Sequence, residues 1–527
     1  MSGSAEASHK NWRPAANPWL ITVVVTLAAF MEVLDTTIVN VSLPHIAGTM
    51  SASFDEATWA LTAYMVANGI VLPMSAFLAR AIGRKRYFLI CIIAFSACSL
   101  ACGLSTNLFE LILFRALQGF FGGGLQPIQQ SITLDTFPKS QRGQAFAVTA
   151  VAIVVAPVLG PTLGGWITDN WSWRWVFLIN VPVGAITALG VMHLVEDPPW
   201  EKAKGMVDFD FIGMGLIALG LGSLQVMLDR GEDDDWFSSP FICAFGAMAL
   251  IGMATAVAWL LYTRKPVVDI RVFKDRNFTL GCLTIAAFAL VLYASAVLIP
   301  QFTQQHLGYT AMLSGMVLSP GAIAIILLIP IINQLMNYVQ VRYILTAGFF
   351  VLGCSMLYTH GLVPDIDFST LVMMRATQSL GIGCLFVPAS TLTYLTLSKS
   401  LQGDGTALFT MCRNVAGSIG ISLSTAAVAT RTQTHMALLS QHTGALNPGY
   451  SIDLDRVIHG LSGSIGAVGG VTQNAAGLLY RTYIEQASIL AYMDVYAVCA
   501  IGAWCFMPLT FLFSPVKGKA DADAVAH

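Results

Sequence analysis

The stretch FRALQGFFGGGLQP, residues 114–127, returns 260 residues later as MRATQSLGIGCLFVP, residues 374–388. At that offset Arg115, Ala116, Gln118, Gly123 and Leu125 meet Arg375, Ala376, Gln378, Gly383 and Leu385. Without a gap the same offset pairs Gly143, Val155, Ala156 and Gly160 with Gly403, Val415, Ala416 and Gly420. The chain therefore contains a long internal repeat. An Arg sits inside an apolar run in both copies, which raises the question of the solvent around it.

Composition answers that question. Of 527 residues, 56% are hydrophobic and 11% charged, and the mean hydropathy is +0.69. Soluble domains are about 25% charged. Apolar runs of about 20 residues, each long enough to cross a bilayer as helix, recur from end to end, so the sequence reads as an all-α integral membrane protein. Hydropathy divides it into about fourteen spans, centred near residues 30, 67, 96, 122, 155, 184, 219, 250, 291, 322, 350, 381, 418 and 501. The polar breaks are short except for 434–487.

Loop charge sets the sidedness. When loops are assigned alternately to two sides, one side collects most of the Lys and Arg, including Arg80, Arg84, Lys85, Arg86, Lys139, Arg142 and Arg276. The other receives only Arg174, Arg230, Arg431, Arg456 and Arg481. The positive-inside rule then predicts both termini in the cytoplasm. The repeat displaces spans four and five onto twelve and thirteen, which predicts two six-helix bundles with two extra helices between them. The expected organisation is a cytoplasmic segment 1–18, an N-terminal bundle 19–196, two additional helices within 205–265, and a C-terminal bundle 277–514. The last contains an extracytoplasmic loop 434–487, and a cytoplasmic tail 515–527 follows. Related halves enclosing a mid-membrane site are a transporter plan.

The ten Cys form no C-x-x-C pair and have no His cluster beside them, so neither a disulfide framework nor a zinc site is indicated. The polar N-terminus has no A-x-A cleavage signal, and the first span reads as retained. A formal net charge of −2 gives no footprint for a nucleic acid.

The first span holds MEVLDTTIVNVSLPHI, residues 31–46. At about 100° per residue, Glu32, Asp35, Thr36 and Asn40 project to one side of a helix. A charge at the bilayer centre costs about 2.5–3.5 kcal/mol, so intramembrane acids face a cavity or a partner. One reading is a structural ion pair or polar seam. The other is a site that exchanges a proton for a cationic ligand, since low-dielectric surroundings favour a protonated carboxyl and a nearby cation an ionised one. Two acids this close titrate as a pair. Arg115, in span four with Gln118, Gln126 and Gly122–Gly124, is the expected counter-charge. Its guanidinium stays protonated, and the glycines permit close helix approach. A purely structural Arg115 is the competing reading.

Arg375 and Arg413 mark the second half, whose first span, LVLYASAVLIPQ, lacks an acid pair. Span five contains Pro157, Gly160, Pro161, Gly164 and Gly165, suited to kinking and tight packing. After span two a turn at Gly83 precedes Arg84, Lys85 and Arg86, which act as topology determinants alone or latch onto neighbouring helix ends.

These residues resemble the major facilitator superfamily, and within it the fourteen-span drug:proton antiporters of the EmrB/QacA type. LDTTIVNVSLP (34–44), RALQGFFGG (115–123) and GPTLGG (160–165) are similar to that family's first-, fourth- and fifth-helix motifs. GSLQVMLDRGEDDDWFSS (222–239) and KDRNFTLGCL (274–283) look like EmrB-type sequence. The resemblance implies a rocker-switch fold in a bacterial inner membrane and export driven by proton entry, with no cofactor. It implies that Asp35 and Glu32 serve proton and substrate, with Arg115 as the fourth-helix Arg. It also implies assembly with a periplasmic membrane-fusion adaptor and an outer-membrane channel. Where the family places Gly, Asp and Arg in the span two–three loop, this chain has Ala76, Arg80 and Ala81. A gating relay built on the loop Asp is therefore not expected here.

Three functions compete at this point: an exporter of amphipathic toxic compounds, an exporter of one endogenous metabolite such as a siderophore or fatty acid, and a membrane-embedded acyltransferase. HGLVPD (360–365) fits an H-x-x-x-x-D spacing but has no accompanying nucleophile. No nucleotide site is indicated: the only Gly-Lys pair, Gly518–Lys519, has Phe513 where a P-loop requires Gly.

Overall fold

The computed structural model describes residues 14–138, 141–198, 210–398, 401–441, 448–462 and 471–513. The expected tail 515–527 and most of segment 1–18 lie outside the described residues. Those that are described form helices and short connections, with no strand among them. The first half comprises α1 (Pro18–Met50), α2 (Phe54–Ile82), α3 (Arg84–Leu104), α4 (Leu108–Gly122), α5 (Leu125–Thr136), α6 (Arg142–Asn170), α7 (Trp175–Leu178) and α8 (Asn180–Leu194). Then come α9 (Phe211–Arg230) and α10 (Pro240–Tyr262). The second half holds α11 (Arg276–His306), α12 (Ala311–Leu335), α13 (Val341–Thr359), α14 (Phe368–Thr393), α15 (Gln402–Ser440), α16 (Pro448–Ser462), α17 (Val471–Cys505) and α18 (Met507–Thr510).

Local chemistry sets many of these boundaries. Ser53 and Glu56 form a reciprocal capping box at the start of α2. Asn17, Asn107, Asp275, Thr310 and Asp367 each accept a backbone N–H at a helix start, satisfying donors that the helix itself cannot. Between α2 and α3 the chain reverses at Gly83, whose φ of 99° lies where a side chain is strained. The expected tight turn is there.

Twelve helical segments are long and apolar enough to cross a membrane, and α6 adds a thirteenth if its two arms count as one span. Those arms meet at 42° beside Pro157, where proline removes a backbone donor and crowds the preceding turn. The other expected crossing, near residue 418, falls on α15. That helix runs 39 residues, but Asp404, Thr406, Thr410, Arg413 and Asn414 dilute its apolar character, and it is not in the apolar set. The loop expected over 434–487 needs correcting. Residues 434–440 extend α15, α16 occupies Pro448–Ser462, and α17 begins at Val471. Hydropathy missed these pieces because helix continues past the apolar stretch as polar turns.

The repeat is visible in the packing. α1 packs on α6 as α11 packs on α15, and α2 on α4 as α12 on α14. Glycines bring these pairs together. A Cβ at Gly119 would overlap the carbonyl of Tyr64, and one at Gly123 would lie 2.7 Å from the carbonyl of Asn68, both on α2. Gly160 meets Thr37 of α1, and its repeat mate Gly420 meets the Leu290 carbonyl of α11. The extra helices α9 and α10 pair with each other, and α9 bridges α2 and α15. Ser422 of α15 donates to the Leu228 carbonyl at 2.8 Å. α9 thus flanks the seam between halves on one side, with α10 packed against it, while α6 and α12 join across the seam elsewhere.

Candidate functional site

The acids of α1 are both buried, Glu32 at 3% exposure and Asp35 at 0%, but they face different partners. Arg115 of α4 donates from Nη1 to Asp35 Oδ2 at 2.5 Å. Gln118 Nε2 donates to Asp35 Oδ1 at 2.9 Å, and Asn180 Nδ2, from α8, to the same oxygen at 2.7 Å. Arg115 also donates to Gln118 Oε1 at 2.9 Å and from Nε to the Ala60 carbonyl at 3.3 Å. Its guanidinium carbon stands 4.1 Å from the centre of the Tyr64 ring, a favourable cation–π placement. Asp35 thus lies in a cage built entirely from the first half. A buried ion pair is costly unless further hydrogen bonds compensate it; Gln118 and Asn180 do so for the carboxylate, while Arg115 Nη2 has no hydrogen-bond partner.

Glu32, one turn earlier, points to the seam. Asn68 Nδ2 of α2 donates to Glu32 Oε1 at 3.0 Å. Gln126 of α5 donates its amide N–H to Glu32 Oε2, and its carbonyl oxygen accepts from Arg413 Nη2 of α15. Arg413 is fully buried and also donates to Asn414 Oδ1 at 3.1 Å. Gln126 is therefore a neutral relay between an acid of one half and a cation of the other.

This redistributes the expected roles. Arg115 does not serve both acids. It takes Asp35, and the cation associated with Glu32 is Arg413, which the sequence marked only as a feature of the second half. Gln118 and Gln126 are in contact with the acids. Thr36 is not: its hydroxyl donates to the Val33 carbonyl at 2.7 Å, within its own helix. Asn40 is exposed, two turns beyond Glu32. Sequence reasoning missed Asn68, Asn180 and Tyr64. The two asparagines had a signal, since an amide inside an apolar run requires a partner.

The basic residues after Gly83 knit one half together. Arg84 bonds Asp135, and its Nη1 donates to Ser131 Oγ at 3.2 Å. Lys85 Nζ donates to the Met192 carbonyl at 2.7 Å, and its backbone N–H to Asp197 at 2.8 Å. Arg86 is exposed. The contact between halves comes instead from Arg80, the residue standing where the family pattern has an acid. Its Nη1 lies 3.0 Å from both carboxylate oxygens of Asp404 on α15. Nearby, Tyr394 donates to Gln130 Oε1 at 3.1 Å and stacks on Phe146 with ring centres 5.7 Å apart. These contacts close the seam at the end where the loop cations gather. Reversing either charge, Arg80→Asp or Asp404→Arg, is expected to slow export by about 2–10-fold, and the double reversal to recover it. Initial efflux rates at matched membrane levels measure this; a double reversal no better than the singles would remove the pair from the seam.

The Major Facilitator Superfamily model matches residues 25–421. The chain belongs to this superfamily. It is therefore a multi-pass membrane transporter of the bacterial inner membrane rather than an enzyme. In the HGLVPD turn His360 contacts the Met493 carbonyl at 2.7 Å and Asp365 is exposed. Among curated relatives, the superfamily member is 33% identical over 509 residues to the Multidrug export protein EmrB of Escherichia coli K12, covering 96% of this chain and 98% of that one. It is 34% identical over 502 residues to the Fatty acid resistance protein FarB of Neisseria gonorrhoeae, covering 95% and 97%. In fold, it matches an auto-inhibited POT family peptide transporter with a TM-score of 0.58 at 15% identity, covering 95% of this chain and 98% of that one.

Proposed function

We propose that this transporter is a multidrug efflux pump that exports amphipathic toxic compounds in exchange for protons. The observation that carries the reading is the division of two adjacent buried acids between separate cations. One acid is caged within a half and the other is linked across the seam. When the halves part around Gln126, Glu32 loses its relay to Arg413 and accepts a proton or a cationic substrate. Asp35 discharges only when Arg115, Gln118 and Asn180 release it, so its proton step is tied to movement of α4 and α8 against α1. Acid protonation and the orientation of the halves then bias one another, which is what coupling requires.

The energetics are sufficient without a cofactor. Each proton entering supplies about 2.3 kcal/mol per 100 mV, and about 1.4 kcal/mol more per pH unit. That is at least a tenfold substrate gradient per proton. The names of the two relatives support both a multidrug and a fatty-acid substrate class. We favour the multidrug class because Glu32 provides a carboxylate at the seam.

Expression of the chain is expected to protect growth against a panel of amphipathic toxicants, and an uncoupler to remove the efflux. Protection that survives the uncoupler would rule out proton drive. We further propose that a periplasmic membrane-fusion adaptor docks on the region of α16 and the polar turns of α15 and α17, and hands substrate to an outer-membrane channel. Loss of adaptor co-purification after trimming that region is the matching observation.

A further inference from the structure

The inserted helix α9 is bonded to both halves near one end. Arg230, its last residue, donates from Nη1 to Thr58 Oγ1 of α2 at 2.8 Å and to the Asp55 carbonyl at 3.3 Å. The same guanidinium stands 5.2 Å from the centre of the Trp59 ring and 3.5 Å from the carboxylates of Asp233 and Asp234. Further along α9, Gly222 lets the helix lie close on α2. A Cβ there would stand 3.1 Å from Ile70 Cδ1 and 3.6 Å from Val66 Cγ1.

Towards α15 the bonds are neutral. Gln225 Nε2 donates to Ser418 Oγ at 3.1 Å, and Ser418 donates to Gln225 Oε1 at 3.4 Å. Ser422 adds its bond to the Leu228 carbonyl. Gln225 is 8% exposed, and its amide also donates to Asp229 Oδ1 at 2.8 Å within α9. The helix α2 itself bonds α15 at its other end, through Arg80 and Asp404. One seam therefore carries a contact at each end, and α9 supplies the one farther from the loop cations.

Bond strength decides which side of α9 yields. Charge-assisted hydrogen bonds are roughly twice as strong as neutral ones, and drawing Arg230 off α2 would leave a buried guanidinium short of acceptors. Parting from α15 strands no donor. Gln225 keeps Asp229 as its acceptor, and Ser418 and Ser422 can turn to the carbonyl one turn earlier in their own helix.

We propose that the end of α9 at Arg230 moves with the first half, and that Gln225, Ser418 and Ser422 form a catch between that half and α15. The catch is closed in this structure together with the Arg80–Asp404 contact. It parts when the seam opens at the end away from the loop cations, and Asp229 holds the Gln225 amide through that movement. The helix pair inserted between the bundles is then a working part of the gate. The inference needs alternating access by the two halves, and neither the cargo nor the proton coupling proposed above.

The test follows distances by pulsed electron paramagnetic resonance in the full-length chain, reconstituted in lipid nanodiscs. Spin labels on non-natural ketone residues leave the native cysteines untouched. One pair joins exposed Phe237, in the turn after α9, to exposed Thr434 of α15, and the other joins Phe237 to exposed Thr49 of α1. Ser418→Ala/Ser422→Ala is expected to raise the long-distance population of the Phe237–Thr434 pair about tenfold, the effect of losing neutral hydrogen bonds. The Phe237–Thr49 distance is expected to stay unchanged. Gln225→Leu is expected to act in the same direction, and its combination with Ser418→Ala to give less than the sum of the two, because both cut one contact. A Phe237–Thr49 distance that lengthens while Phe237–Thr434 holds would assign α9 to the second half and overturn the proposal. Distributions that none of these substitutions moves would overturn the catch.

Discussion

Asp35→Asn is expected to abolish substrate-induced proton release from the purified protein and to cut efflux by about 10–100-fold, the scale of a lost coupling of 1–3 kcal/mol. The substitution preserves shape but removes the only anion bonded to Arg115 among the described residues. Breaking a fully buried pair from one side costs about 3–5 kcal/mol, so the variant is also expected to melt earlier. A loss of transport on its own would therefore be ambiguous between coupling and folding. Arg115→Gln in the same background removes the stranded cation and is expected to recover much of the stability without restoring proton release. Stability and coupling then separate in one double-mutant cycle. If release persists undiminished in Asp35→Asn, Asp35 is a structural ion-pair partner and not a coupling residue.

Glu32→Gln is expected to act on selectivity. The carboxylate lies at the seam, bonded to two neutral amides, so its loss strands no directly bonded cation and costs little folding stability. What it removes is the anion available to a positively charged substrate. Charge-assisted hydrogen bonds contribute about 1.5–3 kcal/mol, so binding of cationic compounds is expected to fall by roughly 10–150-fold while neutral ones change little. Arg413→Gln is expected to move cationic compounds the other way, towards tighter binding, because it withdraws the cation competing for the same region. Equilibrium binding of a matched cationic and neutral pair measures both effects. Equal losses for the two compounds in Glu32→Gln would place the acid outside the substrate site.

Much of this architecture was legible in the residues. Composition and the lengths of the apolar runs identified a polytopic helical protein, because a bilayer admits helices that satisfy their own backbone. The recurrence of Arg115 and Gln118 as Arg375 and Gln378 identified two related halves. Glu32 and Asp35 stood out because ionised groups in hydrocarbon demand partners. Helix ends were harder to read. Polar turns can continue a helix beyond the membrane, so 434–440 and the start of α17 looked like loop.

Which partner each acid takes was decided by the tertiary structure. Helical periodicity places Glu32 and Asp35 on one side of α1, yet 60° of rotation and one turn of rise separate a cage of α4 and α8 from a seam with α15. The sequence could pair either acid with Arg115, since linear spacing carries no information about contacts between distant helices. Only the packing, set by glycines that let α4 lie against the backbone of α2, shows that Arg115 is committed to Asp35 and that Glu32 looks across to Arg413. The same holds for Arg80. As sequence it is a departure from the family's loop pattern, and in the fold it meets Asp404, 324 residues away. Residue types fix which charges must be neutralised in the membrane, and the packing of the two halves fixes which groups neutralise them.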